Sequence, residues 1–118
     1  MDRPTAAQEL EMIDISIEEA KATVAMADAL KRLGRNKDFK KVFLDHFMVT
    51  EVARTVKLMA EPSMQNPAQQ ESLHKMLIAV GQVDQFIRMT LTLGDMAQQG
   101  ISDAEVEREN ILNEEVED

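Results

Sequence analysis

Residues 10–33 read LEMIDISIEEAKATVAMADALKRL, and apolar side chains recur in them at alternating spacings of three and four residues. The repeating positions are Leu10, Ile13, Ile17, Ala20, Val24 and Ala27. A repeat of 3.5 residues places all of them on one face of an α-helix. Thr5 and Gln8 form a capping-box pair ahead of this face, and Gly34 can end a helix with a positive φ. The sequence therefore predicts a helix over residues 6–33.

A second helix is predicted to begin at Asn36 or Lys37. Its apolar side chains recur at helical spacing, at Phe39, Val42, Phe43 and Phe47. Residues 45–50 are apolar and β-branched without a clean repeat, so we expect a kink or short break there and a new turn at Thr50. Pro62 should end this helix, because proline cannot donate the backbone hydrogen bond that a helix interior needs.

Asn66 and Pro67 predict the start of a third helix, since asparagine caps well and proline fits the first helical position. The apolar face that follows comprises Leu73, Leu77, Val80, Ile87 and Leu91. Gly81 and Gly94 lie inside this pattern, where each costs about 1 kcal/mol relative to alanine. Either they permit close approach of a neighbouring helix, which we favour, or the helix simply tolerates them. Gly100 is predicted to end the helix.

Residues 102–118 carry most of the charge of the chain, −7 of a net −9. Arg108 is the one basic residue among the acids Asp103, Glu105, Glu107, Glu109, Glu114, Glu115, Glu117 and Asp118. Ser102 and Glu105 form a second capping-box pattern, which favours a helix. Because the acids repel one another, we expect a frayed helix or a disordered tail when the protein is alone.

These elements predict an all-α fold, a small bundle of three to four helices with an acidic C-terminal helix or tail. The predicted division is a helical bundle over residues 1–101 and the acidic helix or tail over residues 102–118. No apolar run approaches the ~20 residues of a membrane span, and the N-terminus lacks the features of a signal peptide. We therefore expect a soluble protein without membrane contacts.

Catalytic and metal-binding motifs are not found in the sequence. The chain has no cysteine, and its two histidines, His46 and His74, lie far apart in sequence. A metal site needs three or four converging ligands. Carboxylate pairs such as Asp14 with Glu18 fall on the polar side of a helix, where their pKa values should not diverge as acid–base chemistry requires. We expect no catalytic residues, no metal, no cofactor and no small-molecule substrate.

A cluster of cations surrounds the predicted turn between the first two helices, and we call it the basic turn. Its members are Lys31, Arg32, Arg35, Lys37, Lys40 and Lys41. One interpretation is a solvated turn, in which cations favour the C-terminus of a helix. The other is a partner-binding knob for an acidic surface, such as the acidic tail of a neighbouring copy. Sequence-specific nucleic-acid binding is not expected of a net acidic chain with few aromatic residues.

Four stretches together resemble a family of short, acidic, helical proteins of tailed bacteriophages. They are ADALKRL at 27–33, NKDFKKV at 36–42, EVAR at 51–54 and LMAEPSMQ at 58–65. The resemblance covers about residues 10–95 and follows the order D-F-K-K … E-A-x-R … L-A-D-P of that family. Glu61-Pro62 replaces the more usual Asp-Pro. The resemblance implies a gene among virion and morphogenesis genes and assigns no enzymatic residue.

The expected function is that of a non-enzymatic phage structural or assembly protein that acts through protein–protein contacts as an oligomer. A virion component, a scaffold-like factor and an assembly chaperone all fit, and self-association and other phage structural proteins are the expected contacts. The host cytoplasm or the virion is the expected location. The alternative is an acidic DNA mimic that inhibits a host nucleic-acid enzyme or defence complex. Mimicry requires acids along an ordered face, whereas a mobile tail would not supply one.

Overall fold

The computed structural model describes residues 3–117, with only the backbone described for Glu117. The first helix is Ala6–Arg35 and the last helix is Pro67–Glu117. Between them, residues 37–60 form one continuous middle helix with three successive geometries. It is α-helical over Lys37–Phe39, π-helical over Lys40–Thr50 and α-helical again over Glu51–Ala60, and a short 3-10 turn follows at Pro62–Met64. No strand occurs in residues 3–117, so the all-α prediction is confirmed.

Helix starts follow the capping residues that the sequence indicates. The Thr5 amide donates to Gln8 Oε1 at 2.9 Å and the Gln8 amide donates to Thr5 Oγ1 at 3.2 Å, which completes the predicted capping box. Asn36 Oδ1 accepts from the amides of Asp38 and Phe39 at 3.1 and 3.0 Å. Asn66 Oδ1 accepts from the next helix in the same way. The three predicted starts are confirmed.

Helix ends predicted at glycine are wrong in two places. The first helix continues through Gly34 to Arg35, and the last helix continues through Gly100 to Glu117. No glycine in residues 3–117 has a positive φ, so neither residue uses the conformation that would end a helix. Ser102 does not cap a new helix either, because its hydroxyl donates to the Gln98 carbonyl at 3.3 Å. A glycine costs a helix about 1 kcal/mol, which packing further along it can outweigh.

The predicted irregularity at residues 45–50 is present, but the helix does not break there. The chain instead takes π-helical geometry, in which residues five apart align along the helix. Lys40 Nζ lies 3.0 Å from Asp45 Oδ2, and Thr50 Oγ1 donates to the Asp45 carbonyl at 3.2 Å. These contacts join residues five apart. The Thr50 side chain therefore closes a π-helical turn and does not cap the α-helix that follows.

The structure comprises two compact units. The paired-helix unit is formed by the described residues of Met1–Ala29 and Thr90–Asp118. Ile13, Ile17 and Ile101 are its buried cluster, with each side chain at most 8% exposed. The partly buried residues packed against this cluster are Ala20, Val24, Ala104 and Ile111. Arg108 in the last helix lies 3.2 Å from Asp14 in the first helix, while Gly94 lies against Ala27, so the two helices are antiparallel.

Gly94 allows the paired helices to approach closely, as the sequence predicts. A Cβ atom at this position would collide with Cβ of Ala27 and would also lie 4.0 Å from the Thr23 carbonyl oxygen. At Gly81 nothing lies within 4 Å of an added Cβ, so close packing is wrong there and the other alternative, a tolerated glycine, holds. Two small residues, one from each helix, therefore set the separation of this pair.

The second unit, Leu30–Met89, contains stacked aromatic rings and polar side-chain contacts, and Val80 is buried in it. Phe39 stacks on Phe43 with ring centroids 5.0 Å apart, and Phe43 lies 5.2 Å from Phe47. In the turn after the middle helix, the side-chain amides of Gln65 and Gln70 both donate to the Met59 carbonyl, at 2.9 and 3.0 Å. These amides satisfy a carbonyl that the helix end would leave without a backbone partner.

Candidate interaction surfaces

The first helix has two apolar stripes, and the last helix covers one of them. The buried seam consists of Ile13, Ile17, Ala20, Val24 and Ala27, which are the predicted repeating positions after Leu10. The exposed seam consists of Met12, Ile15, Glu19, Ala22, Met26 and Ala29. Its spacings are three, four, three, four and three residues, so it also lies along one face of the helix. Glu19 is its one charged member.

Large side chains of the exposed seam are in contact with solvent in the isolated chain. Met12, Ile15 and Met26 are 64, 53 and 62% exposed. Sequence reasoning missed this stripe, although the same spacing rule would have found it by starting at Met12. Single exposed apolar residues are ordinary on protein surfaces, but a contiguous row at helical spacing is typical of an interaction site.

Two open grooves run along the paired-helix unit beside the exposed seam. The first has a volume of about 310 Å³ and is lined by Ala22, Thr23, Met26, Thr90 and Leu93. The second has a volume of about 290 Å³ and is lined by Pro4, Glu9, Met12, Ile13, Ser16, Ala104 and Glu107. The lining of the first groove is mainly apolar, whereas the second also includes the polar side chains of Glu9, Ser16 and Glu107. The first groove fits apolar side chains of another helix better than a polar substrate.

The basic turn lies at the end of the first helix and the start of the middle helix. Its six side chains are exposed, so they are accessible as the partner-binding prediction requires. Lys40 is engaged by Asp45, and Arg35 Nε donates to the Lys31 carbonyl at 3.4 Å. The latter contact is the helix-terminus role that the solvated-turn interpretation assigns. Whether the basic turn binds a partner stays a prediction.

Whether residues 102–117 fray in the isolated protein stays a prediction. Of the predicted acidic helix or tail, the structure has the helix. The reason is the apolar positions that alternate with the acids. Ile101 is buried with Ile13 and Ile17, and Ala104 and Ile111 pack against them. The acids face outward, and the exposed ones are Asp103, Glu105, Glu107, Glu109, Glu114 and Glu115. The side chain of Glu117 and all of Asp118 lie outside the described residues.

A connected polar cluster lies where the π-helical segment meets the following α-helix. Glu51 Oε1 is 3.0 Å from His46 Nε2, and Glu51 Oε2 accepts from both Arg54 Nε and NH2, at 3.0 and 2.8 Å. The hydroxyl of Thr55, a buried residue, donates to the Glu51 carbonyl at 2.7 Å. His46 reaches Glu51 because the two are five residues apart, which is the π-helical repeat. Sequence reasoning considered His46 only as a possible metal ligand and therefore missed this cluster.

The ionisation of this cluster follows its contacts. The hydrogen bond from Arg54 lowers the pKa of Glu51 below 4.5, partial burial opposes that shift, and the charges of Arg54 and His46 add to it. The same hydrogen bond and charge raise the pKa of Arg54. Glu51 is therefore a carboxylate at neutral pH. A carboxylate held ionised by an arginine has a structural role and lacks the raised pKa of a general acid.

No group of three or more histidine, aspartate or glutamate side chains that could hold a metal ion occurs in residues 3–117. His74 is exposed, and its neighbour Glu71 is paired with Lys75 at 3.0 Å. None of the helices within the described part of the chain combines the length and apolar content that crossing a bilayer would need.

In comparisons with known proteins, no protein family, no curated protein and no solved structure matches this chain. The phage context therefore rests on the sequence resemblance alone.

Proposed function

We propose that this chain is a non-enzymatic structural or assembly protein of a tailed bacteriophage and that it works as an oligomer. The observation that carries the proposal is the exposed seam. A helix face with this spacing buries apolar area only when another helix covers it, and burial contributes about 25 cal/mol per Å². The bundle of three to four helices is, in this proposal, completed by association with further chains.

The charged surfaces support contacts with several neighbours. The basic turn is net positive and the acidic residues 102–118 are net negative, and a chain with complementary charges can associate with copies of itself. Because both groups are exposed, their attraction should weaken as salt rises, with a screening length of about 8 Å at physiological ionic strength. An association with the same affinity at low and high salt would contradict this part of the proposal.

The role in phage assembly is tested by locating the protein. Light scattering coupled to size-exclusion chromatography should give a mass above 13.3 kDa at micromolar concentration. Mass spectrometry of purified virions and of empty precursor particles should detect the protein in at least one of them. Presence in precursors alone favours a scaffold-like factor, and presence in virions favours a structural component. A monomer that is absent from both particles would contradict the proposal.

A second candidate function is supported by the helical arrangement of the acidic residues. Asp103, Glu107 and Glu114 are separated by four and seven residues, which places them along one side of the last helix. An ordered row of carboxylates is the feature that DNA mimicry requires. The second candidate is therefore an inhibitor that occupies the DNA-binding surface of a host nucleic-acid enzyme or defence complex.

Charge-neutral variants separate the two candidates without unfolding the acidic helix. Deleting residues 102–118 would remove Ile111 and Ala104 from the apolar cluster, so deletion is an unsuitable test. The triple variant D103N/E107Q/E114Q should abolish any inhibition of a host nuclease if mimicry is the function. The matched triple variant E105Q/E109Q/E115Q removes the same charge from other sides of the helix and should keep the inhibition. If the wild-type chain does not inhibit the host nuclease, the second candidate is rejected.

A further inference from the structure

We propose that residues 40–50 of the middle helix act as a register switch, which keeps π-helical geometry while His46 contacts Glu51 and becomes α-helical when that contact is lost. The conversion moves exposed valine side chains from different sides of the helix onto one face. The inference goes beyond the proposed function and does not depend on the phage context. All the residues that it involves lie in the unit Leu30–Met89.

The π-helical segment is long for its kind. It covers 11 residues, Lys40–Thr50, whereas π geometry occurs mostly as single turns within α-helices and is frequent at functional sites. The Lys40 amide still donates to the Asn36 carbonyl, four residues before it. The Glu51 amide donates to the His46 carbonyl, five residues before it. The helix is α-helical on both sides, so the altered register is confined to this segment.

The backbone of the segment is compatible with either register. Residues 40–50 contain no proline, so every amide of the segment can donate to a carbonyl four or five residues before it. The residues at its two ends have α-helical dihedral angles, φ −60° and ψ −45° at Phe39 and φ −64° and ψ −46° at Thr50. Because each amide has a carbonyl partner in both registers, side-chain contacts decide between them.

The ion pair of Asp45 has an equivalent in the α register. Asp45 contacts Lys40, five residues before it, at 3.0 Å. Lys41 lies four residues before Asp45, which is the spacing at which ion pairs form on an α-helix. Within residues 3–117 no ion pair involves Lys41, so it is available for this exchange. The charge of Asp45 therefore does not select one register.

The hydrogen bond of Thr50 also has an equivalent. Its hydroxyl donates to the Asp45 carbonyl, five residues before it, and in α geometry the His46 carbonyl would take that place. Thr55 shows the α form of this bond in the same helix, because its hydroxyl donates to the Glu51 carbonyl, four residues before it, at 2.7 Å. A threonine at this position is thus satisfied in both registers.

The contact between His46 and Glu51 has no such equivalent. No carboxylate lies three or four residues from His46, and the residues four and three positions before Glu51 are the apolar Phe47 and Met48. Conversion to the α register therefore separates His46 from Glu51. Arg54 is three residues after Glu51 and keeps its contact in either register. The His46–Glu51 contact, at 3.0 Å, is the one that favours π geometry alone.

The two registers present different apolar surfaces. The exposed large apolar side chains of the middle helix are Val42, Val49 and Val56, at 65, 63 and 52% exposed. Residues seven apart lie nearly above one another on an α-helix, because two turns take about 7.2 residues. A π-helical turn takes more residues, so Val42 and Val49 lie on different sides of the segment. The α register would align all three valines in one stripe.

Nuclear magnetic resonance of the isotope-labelled full chain measures the register directly, because scalar couplings across hydrogen bonds identify the carbonyl that each amide donates to. In the wild type, the amides of residues 45–51 should couple to carbonyls five residues before them. In H46A these couplings should be lost and replaced by couplings to carbonyls four residues before. The matched control V49A raises helix propensity in the same segment without touching the contact, and it should keep the wild-type couplings.

A second variant tests the same contact without removing the histidine. T50E/E51Q moves the carboxylate from five residues after His46 to four residues after it and leaves the net charge unchanged. It should convert the segment to the α register, because the new spacing is that of an α-helical pair. This variant decides the question if H46A does not fold.

The opposite results would overturn the inference. Couplings to carbonyls four residues before each amide in the wild type would mean that the π register is not populated. Unchanged couplings in H46A or in T50E/E51Q would mean that the His46–Glu51 contact does not select the register. Conversion in V49A as well as in H46A would assign the effect to helix propensity. These readings hold whether or not the protein is found in phage particles.

Discussion

The buried seam and the exposed seam of the first helix are similar in composition. They differ in whether the last helix covers them. Both repeat every 3.5 residues, and both consist mainly of aliphatic side chains, methionine or alanine. The buried seam has isoleucine at Ile13 and Ile17, and the last helix covers it, whereas Ile15 and Met26 of the exposed seam have no such cover. The 3.5-residue repeat therefore identifies a helix face that can pack against another helix. It does not identify the segment or chain that covers this face.

The largest difference between the seams should appear when the same substitution is made in each. I17A removes a buried side chain and should lower the free energy of unfolding by about 2–5 kcal/mol. I15A removes a half-exposed side chain. It should change the free energy of unfolding by about 0.5 kcal/mol or less at a concentration where the chain is monomeric. Urea denaturation followed by circular dichroism measures both.

Self-association should show the opposite order. I15A should weaken self-association, since Ile15 is a large exposed side chain of the exposed seam, which carries the proposed oligomer. The variant I15E adds one negative charge to the exposed seam, and A25E, at an exposed position outside both seams, adds the same charge as its control. I15E should weaken self-association more than A25E does. If I15A destabilises the monomer as much as I17A does, the distinction between a buried and an exposed seam is incorrect.

A smaller effect is expected where the buried seam meets the last helix. G94A should destabilise the chain by about 1–3 kcal/mol, because the added methyl group collides with Ala27 and the helices must separate. G100A, in the same helix with open space around it, should instead stabilise by about 0.5–1 kcal/mol through helix propensity. Thermal denaturation compares the two. Stabilisation by both substitutions would mean that the helices are not in close contact at Gly94.

The smallest effect is expected outside both seams, at Glu51, and it depends on pH. The pKa of Glu51 is lowered from 4.5 in the folded chain, so the unfolded chain binds the proton more readily. The stabilisation by Arg54 is therefore fully present above about pH 4.5 and is lost as pH falls through the folded pKa. Urea midpoints of the wild type and E51Q should converge as pH falls below 4.5. R54A should show the same reduced pH dependence, and an unchanged slope in E51Q would reject this assignment.

Local chemistry made the helix starts predictable. Thr5, Asn36 and Asn66 cap the three helices through contacts within a few residues, and Pro62 follows the end of the middle helix. Such contacts depend only on neighbours in sequence. The basic turn and the acidic residues could also be located from the sequence, because charge and helical propensity keep them on the surface. The binding partners of these charged residues could not be predicted from the sequence, because the spacing of residues along a helix does not specify a partner.

The ends of the helices and the π-helical segment were harder to predict, for two physical reasons. Gly100 does not end the last helix because Ile101 and Ile111 beyond it pack against the first helix, a contact between residues about 90 positions apart. The middle helix takes π geometry where pairs five residues apart, such as His46 with Glu51, replace the usual spacing of four. Residues five positions apart can be identified in the sequence. Prediction of α-helices relies on spacings of three and four residues, so these pairs were not considered.

The sequence by itself determined that the chain forms long helices, where they begin, and that the first helix has apolar positions with a 3.5-residue repeat. These properties follow from backbone hydrogen bonding and side-chain direction, which act over one or two turns. Only the tertiary structure decided which seam of the first helix is covered and that the acidic residues continue the last helix. Those outcomes depend on apolar area buried between distant segments, and the closest of these contacts, at Ala27 and Gly94, is set by the absence of a single Cβ.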